Sequence, residues 1–313
     1  MNPNKKNLEF QQKSEKFRNI DQWRDYFHPN CVISTKYHTV SDGTKLFSIL
    51  TQPPNKIENI RPIIIIPGWF SLISGWLDVV NTISEFTTIA YFESREKNTS
   101  ILASNKVDMS VNRMVLDLCE VRDDLGVEFK DAIVLGSSMG GTTIFKYLVD
   151  QNISANLFVL IGPNPSFDAP KIITPILLKM PLFIYKVTKA YVKWHVLRFK
   201  IDRKKEPEQA QKYIDVLEGA ENWKIRQSAR KCLKFNVWRD LHLINANILL
   251  VGASLDKMHA AERTLKLKKL IKNASYIDFE SNKKSHSEEF GKFMVEIAHQ
   301  DWDSIKESYK IIE

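Results

Sequence analysis

Apolar and polar positions divide this chain into short runs of two different periods. Residues 63–66 are four isoleucines in a row. A run without alternation fits a strand buried on both faces, as in a parallel sheet. Residues 87–92, 131–135 and 157–161 read as further strands, and 247–258 (NILLVGASLDKM) as a strand followed by a loop. Residues 275–279 (SYIDF) form a later, alternating strand. Between them, 75–85, 110–125 and 142–149 read as helices. Strands alternating with helices imply βα units and a mostly parallel sheet flanked by helices, so the fold class is α/β. Two features precede the repeat. Residues 8–27 carry Phe10, Phe17, Ile20, Trp23 and Phe27 near helical spacing, which predicts one or two N-terminal helices packed on the body. Residues 36–40 and 46–52 flank Ser41-Asp42-Gly43-Thr44. Asp-Gly between alternating strands signals a hairpin.

One junction carries chemistry. Residues 131–143 read DAIVLGSSMGGTT: an apolar strand, then Gly136-Ser137-Ser138-Met139-Gly140, then the start of a helix. A serine on a very tight strand-to-helix turn presents its hydroxyl as an exposed nucleophile. The turn strains the backbone at the serine, so the residues two before and two after it must be nearly without side chains. Gly136 and Gly140 meet that need for Ser138. For Ser137 the same positions would be Leu135 and Met139, so Ser138 is the candidate nucleophile. Gly141 lets the following helix pack closely.

With strand, elbow and helix in this order, the chain resembles an α/β-hydrolase. The resemblance runs from about residue 35 to about residue 310, with a divergent middle. It implies a core over 1–163 with an N-terminal helical extension of about 1–30, a helical cap over 164–245, and the rest of the core over 246–313. In this family the loop after the strand of residues 61–71 (RPIIIIPGWFS) lends one backbone N–H to an oxyanion hole, and the residue after the nucleophile lends the other. Carried over, these are Trp69 and Met139. Many members have a histidine where this chain has Pro67, and that side chain braces the loop. The family's acid sits in the loop after a late strand, here Asp256, where a carboxylate beside imidazole fixes its tautomer and stabilises the imidazolium. Asp168 and Glu93 compete for that role. Of seven histidines, only His286 follows a late strand, comes after Asp256 and sits in a loop. It is the candidate general base, and Ser285 and Glu288 form a capping box for the helix after it. The order Ser138, Asp256, His286 matches the family's nucleophile, acid and base. Residues 93–100 (ESREKNTS) depart from the glycine-rich turn common at that point, and Arg95 and Glu96 are expected only to pair with each other or with neighbours.

Composition narrows the function further. A length of 313 residues, 43% of them hydrophobic and 26% charged, suits one large globular domain with room for an insertion. Three cysteines, Cys31, Cys119 and Cys232, have no motif spacing, which argues against a disulfide framework and against a zinc site. The N-terminal residues lack an apolar secretion signal, and no stretch of ~18 apolar residues would cross a bilayer. A cytoplasmic location is expected. The net charge is +8, yet it is local. Residues 171–205 hold ten lysines and arginines against the single acid Asp202, and the rest of the chain nets −1. A pI raised by one insert gives no reason to expect nucleic acid.

That basic insert is also apolar and aromatic, with Tyr185, Tyr191, Trp194 and Phe199 among its lysines. Three roles suit it: a cap helix with solvated lysines, the wall of an acyl-chain tunnel, or a membrane-surface contact through 171–205. Together these residues lead to the expectation of a serine hydrolase that cleaves a carboxylic ester with an apolar acyl group, through an acyl-enzyme on Ser138, with no metal and no organic cofactor. Thioester hydrolysis, acyl transfer and carbon–carbon bond hydrolysis use the same machinery. A non-catalytic relative that binds a small apolar ligand or a partner is the reading from another class. Oligomeric state is not legible.

Overall fold

The computed structural model describes residues 17–55, 57–151, 157–167, 194, 221–255, 261–300, 302–309 and 311–312. Eight strands form one sheet in the order β1-β2-β4-β3-β5-β6-β7-β8. They are β1 (Val32–Thr39), β2 (Lys45–Gln52), β3 (Ile63–Ile66), β4 (Ile89–Glu93), β5 (Ile133–Ser137), β6 (Leu157–Ile161), β7 (Asn247–Gly252) and β8 (Ala274–Asp278). β1 and β2 pair antiparallel as the expected hairpin, and β2 also runs antiparallel to β4. All remaining neighbours are parallel.

The unbroken isoleucine run has the structural meaning its pattern suggests. Ile63 and Ile65 enter one core layer, and Ile64 and Ile66 enter the other. The first layer lies under helices α2 (Leu77–Phe86) and α7 (Glu288–His299), through Val79, Ile83, Phe290 and Met294. The second lies under α3 (Val111–Arg122), α4 (Met139–Gln151) and α6 (Ala261–Leu270), through Leu118, Val121, Ile144 and Leu267. Burying one such side chain contributes ~1.5–3 kcal/mol. The N-terminal segment packs on the first layer: Phe17, Trp23 and Phe27 are buried there, around a short helix α1 (Asp21–Arg24). Residues 1–16 lie outside the described residues.

Strand order determines where a site can form. β4 lies on one side of β3, and β5 lies on the other. The chain therefore reverses its direction of winding between β3 and β5. In open α/β sheets ligands bind outside the carboxyl ends of the strands at such a switch point. The loop carrying Trp69 leaves β3 there, and Ser138 leaves β5 there.

Several elements begin or end away from the sequence expectation, and β1 starts at Val32, four residues before the expected 36–40, because its pairing with β2 extends to Gln52. Helix α4 begins at Met139, not at Thr142, because the elbow leads into it with no linker. The capping box does not form. Ser287 is the N-cap of α7 and makes no side-chain cap, while Ser285 donates to Asn282 O at 3.1 Å within a short 3-10 turn, Lys284–His286. Most of 164–245 lies outside the described residues. Its described parts are 164–167, Trp194 and 221–245, which include helix α5 (Asn222–Cys232). The basic stretch 171–205 is outside them apart from Trp194. Helix α8 (Trp302–Tyr309) closes the described fold through buried Ile305.

The glycines around the elbow can be tested. A Cβ on Gly140 would lie 2.0 Å from Ile66 O and 2.9 Å from Pro67 O, both backbone atoms that cannot swing away. Gly140→Ala is expected to destabilise the fold by ~3 kcal/mol, read as the shift in the urea midpoint. At Gly75 a Cβ meets nothing within 4 Å, so Gly75→Ala is expected to stay within about 0.5 kcal/mol of the parent. Equal midpoints for the two variants would refute this account of the packing.

Candidate active site

Ser138 has a backbone φ of +46°, in the left-handed region, although it carries a side chain. L-residues occupy that region at a cost, and such strain persists only where the surroundings over-determine it. The surroundings here are specific. Ser138 N–H donates to Ile161 O at 2.9 Å, and its carbonyl accepts from Thr142 N–H and Thr142 Oγ1. A Cβ on Gly136 would meet Ile144 Cδ1 at 2.4 Å. Gly136 and Gly140 are therefore required by contacts on opposite sides of the turn, with α4 and with the end of β3. Gly141 faces a third neighbour, Pro163, where a Cβ would lie 2.8 Å from Pro163 Cβ.

The β3 loop approaches this turn closely. A Cβ on Gly68 would lie 3.4 Å from Ser138 Cβ. Among the described residues, neither Trp69 N–H nor Met139 N–H has a hydrogen-bond partner. Met139 opens α4, so its N–H sits at the positive end of a helix dipole. The Trp69 indole donates to Ser228 Oγ on α5 at 2.6 Å, which holds the side chain to one side.

His286 stands at the end of the turn after β8. Its ring lies against Trp76, with centroids 4.5 Å apart, and Trp76 Nε1 donates to Ser71 Oγ of the β3 loop at 3.3 Å. This places the histidine beside the loop that carries Trp69. His286 Nδ1 is 3.0 Å from Asn282 O and 3.2 Å from Ser285 Oγ. A carbonyl oxygen can only accept, so the contact with Asn282 O is a hydrogen bond when Nδ1 carries the hydrogen. Ser138 Oγ makes no hydrogen bond to His286 in this structure.

The candidate acids fall differently. Asp256 and Asp168 lie outside the described residues. The chain leading to Asp256 is well fixed. Ser254 N–H donates to Asp278 Oδ1 at 3.0 Å, and Leu255 N–H to Glu280 O at 2.7 Å. Burial alone would raise the Asp278 carboxyl, but the Ser254 and Glu280 bonds outweigh it and hold it below the usual range. Glu93 is engaged elsewhere. It is buried, accepts from Thr99 Oγ1 and lies beside Lys97, and burial pushes its carboxyl up. His38, one of the six other histidines, is a core residue, bridging Asp124 Oδ2 and Ser48 Oγ at 2.7 Å each.

Residues 93–100 form a buried polar block. Arg95 is fully buried and forks onto Asp117 through Nε and Nη2, both at 2.5 Å. It also donates to Asp42 Oδ2 at 2.9 Å and Asp108 O at 2.7 Å. It therefore pairs with the hairpin turn and with α3, not with Glu96. Lys97 Nζ donates to Gly68 O and, at 2.9 Å, to Ser71 O. Lys224, buried on α5, donates to Lys97 O at 2.7 Å and Ser100 O at 2.9 Å. A signal for this block existed in the sequence only as its departure from a glycine-rich turn.

A cavity of about 140 Å³ opens beside the block. Phe17, Trp23, Phe70, Ile73, Glu93 and Lys97 line it, and Ser138, Met139 and His286 do not. Among the described residues no cluster of His, Cys, Asp and Glu could hold a metal ion.

No protein-family model matches this chain. No curated protein matches it either. Solved structures do. The chain is similar to an esterase from Exiguobacterium antarcticum, with 18% identity, a TM-score of 0.67, and coverage of 88% of this chain and 99% of that one. It is similar to the enol-lactonase from Burkholderia xenovorans LB400 at 17% identity and TM-score 0.64, covering 83% and 96%. It is similar to a bromoperoxidase from Bacillus anthracis at 15% identity and TM-score 0.65, covering 83% and 97%. Agreement over nearly the whole of chains so distant in sequence rests on backbone architecture. The strand order with its reversal at β3 and β5, the elbow after β5 and these likenesses give one conclusion: this chain has the α/β-hydrolase fold.

Proposed function

We propose that this protein is a serine hydrolase that cleaves carboxylic esters with an apolar acyl group. The observation that carries the reading is the strained backbone of Ser138 at the turn between β5 and α4. Strain of this kind is kept where it serves a site. The esterase neighbour and the unpartnered N–H groups of Trp69 and Met139 support the same reading.

In this mechanism His286 Nε2 takes the proton from Ser138 Oγ as that oxygen attacks the acyl carbonyl. The carbonyl oxygen becomes an oxyanion between the Trp69 and Met139 N–H groups. Donors aimed at charge that develops only in the transition state lower the barrier, and one such donor contributes ~10²–10³ in rate. The imidazolium then protonates the departing alcohol. Water, deprotonated by the same nitrogen, cleaves the acyl-enzyme and releases the acid. Asp256 is assigned the third position, stabilising the imidazolium. A cap over 164–245 supplies the apolar wall, with its early part basic and rich in Ile, Leu, Phe, Tyr and Trp.

Labelling by a fluorophosphonate followed by an ester panel tests the reading. Ser138→Ala is expected to lose both labelling and turnover while keeping the wild-type melting temperature, and His286→Ala to lose turnover by several orders of magnitude. Full activity in a pure Ser138→Ala preparation would refute the assignment.

The acid is tested separately. Asp256→Asn is expected to cost ~10³–10⁴-fold in kcat, because asparagine holds the imidazole in the wrong tautomer. Near-wild-type activity in Asp256→Asn, with Asp168→Asn inactive, would move the role to Asp168.

Substrate preference follows from the apolar cap. Medium-length acyl esters are expected to surpass acetyl esters, since each buried methylene adds ~0.8 kcal/mol, roughly fourfold, to binding. A panel in which acetyl esters are fastest, with steady loss on lengthening, would contradict an apolar acyl site.

A further inference from the structure

We infer that Lys97 is a positioning residue for the oxyanion hole: its buried ammonium grips the Gly68 carbonyl and thereby aims the Trp69 N–H at the reacting oxygen. The inference rests on the serine-hydrolase reading above and deepens it.

The argument begins with the peptide unit. Gly68 C=O and Trp69 N–H belong to the same planar amide, and among the described residues no peptide bond is cis. In a trans peptide the carbonyl and the N–H point in opposite directions. Whatever holds the Gly68 oxygen therefore sets the direction of the Trp69 hydrogen. Lys97 Nζ donates to that oxygen. It also donates to Ser71 O at 2.9 Å, so one ammonium holds both ends of the turn 68–71. Ser71 N–H adds a bond to Gly68 O at 3.1 Å. With its carbonyl turned toward Lys97, the amide turns Trp69 N–H the other way, and that N–H has no partner among the described residues. Gly68 itself lies against Ser138.

The loop needs this grip. Phe70 sits at φ +52°, a left-handed conformation that costs a residue with a side chain. Position 67 is proline, so no histidine side chain braces the loop from within. The brace comes instead from the loop after β4, through a lysine four residues beyond Glu93.

The ammonium is expensive to bury, and the structure compensates for it. Burial pushes the Lys97 amine down from its ordinary range, while Glu96 and Glu93 oppose that shift. Glu96 Oε1 is 3.7 Å away. Lys224 on α5 fixes the Lys97 carbonyl, and Ser228, one helical turn on, fixes the Trp69 indole. Residues four apart share a helix face, so one stripe of α5 holds both partners of the grip. A buried cation with two carboxylates is a poor means of stabilising a fold when apolar side chains would pack as well. Its value lies in the strong, directional bond that an ionised donor makes to a carbonyl.

The test compares wild type with Lys97→Met, of similar length and without the charge. The readouts are kcat, KM, melting temperature and the inhibition constant of a trifluoromethyl ketone, whose tetrahedral adduct on Ser138 puts an oxyanion in the hole. Lys97→Met is expected to lower kcat ~10–100-fold, a fraction of what deleting a whole donor costs, with KM within about twofold. The ketone's inhibition constant is expected to rise by the same factor as kcat/KM falls. A merely structural lysine would shift the melting temperature without that proportionality. Should Lys97→Met fail to fold, Lys97→Met with Glu96→Gln removes the carboxylate left behind and keeps the bond from Ser94 Oγ. A folded variant with wild-type kcat and ketone affinity overturns the inference and leaves the hydrolase reading standing. So does a fall in kcat with no change in ketone affinity. A wild type that turns over no ester and is not labelled at Ser138 overturns both.

Discussion

The close approach of α4 to the ends of β3 and β5 is the constraint on which the rest of this structure depends. Gly140 rests on the Ile66 carbonyl, and Gly136 leaves just enough room for Ile144. With no side chain at either position, the chain can turn from strand to helix in one residue, and that residue is Ser138, held at positive φ. The turn places Ser138 where the sheet reverses its winding, and it starts α4 at Met139 with free N–H groups. The strained serine and the N–H at the start of α4 are thus products of the same close packing. Relaxing one would displace the other.

Opposite the elbow stands a second rigid element, built from charge and not from small residues. Arg95 joins the hairpin turn, α3 and the loop after β4 through Asp42, Asp117 and Asp108. Two residues on, Lys97 binds the carbonyls of the β3 loop. Buried ion pairs contribute little net stability but are costly to break on one side. A block of this type resists gradual loosening and fixes the carbonyls it touches. The site is therefore bounded on one side by backbone packing against glycine and on the other by ionised donors.

Between these elements His286 is oriented locally. The 3-10 turn Lys284–His286 points its Nδ1 at Asn282 O, and Trp76 packs on its ring. Trp76 is in turn bonded to Ser71, so His286, the β3 loop and the buried Lys97 form one continuous set of contacts. The likeness to esterase, enol-lactonase and bromoperoxidase structures lies in the fold. Those proteins carry the names of different activities, so the scaffold by itself does not select a chemistry.

How much of this the sequence determined by itself depends on range. The isoleucine run, the Asp-Gly hairpin and the glycines around Ser138 are local signals, and the strands β1 to β8 and the elbow lie where those signals put them. The place of His286 after a late strand is a property of order along the chain, and it follows β8 as that order requires. The polar block was not legible. Arg95 with Asp117, Lys97 with Gly68, and Lys224 with Ser100 join residues from 22 to 124 positions apart in sequence, and a lysine in a polar run reads as solvated until the fold surrounds it. The failed capping box at Ser285 has the same origin: its hydroxyl found Asn282 O nearer than the helix end. Periodicity and turn chemistry are set by neighbouring residues, so the chain alone specifies them. Which buried charges meet, and which carbonyl they hold, is decided only when β3, β4 and α5 come together.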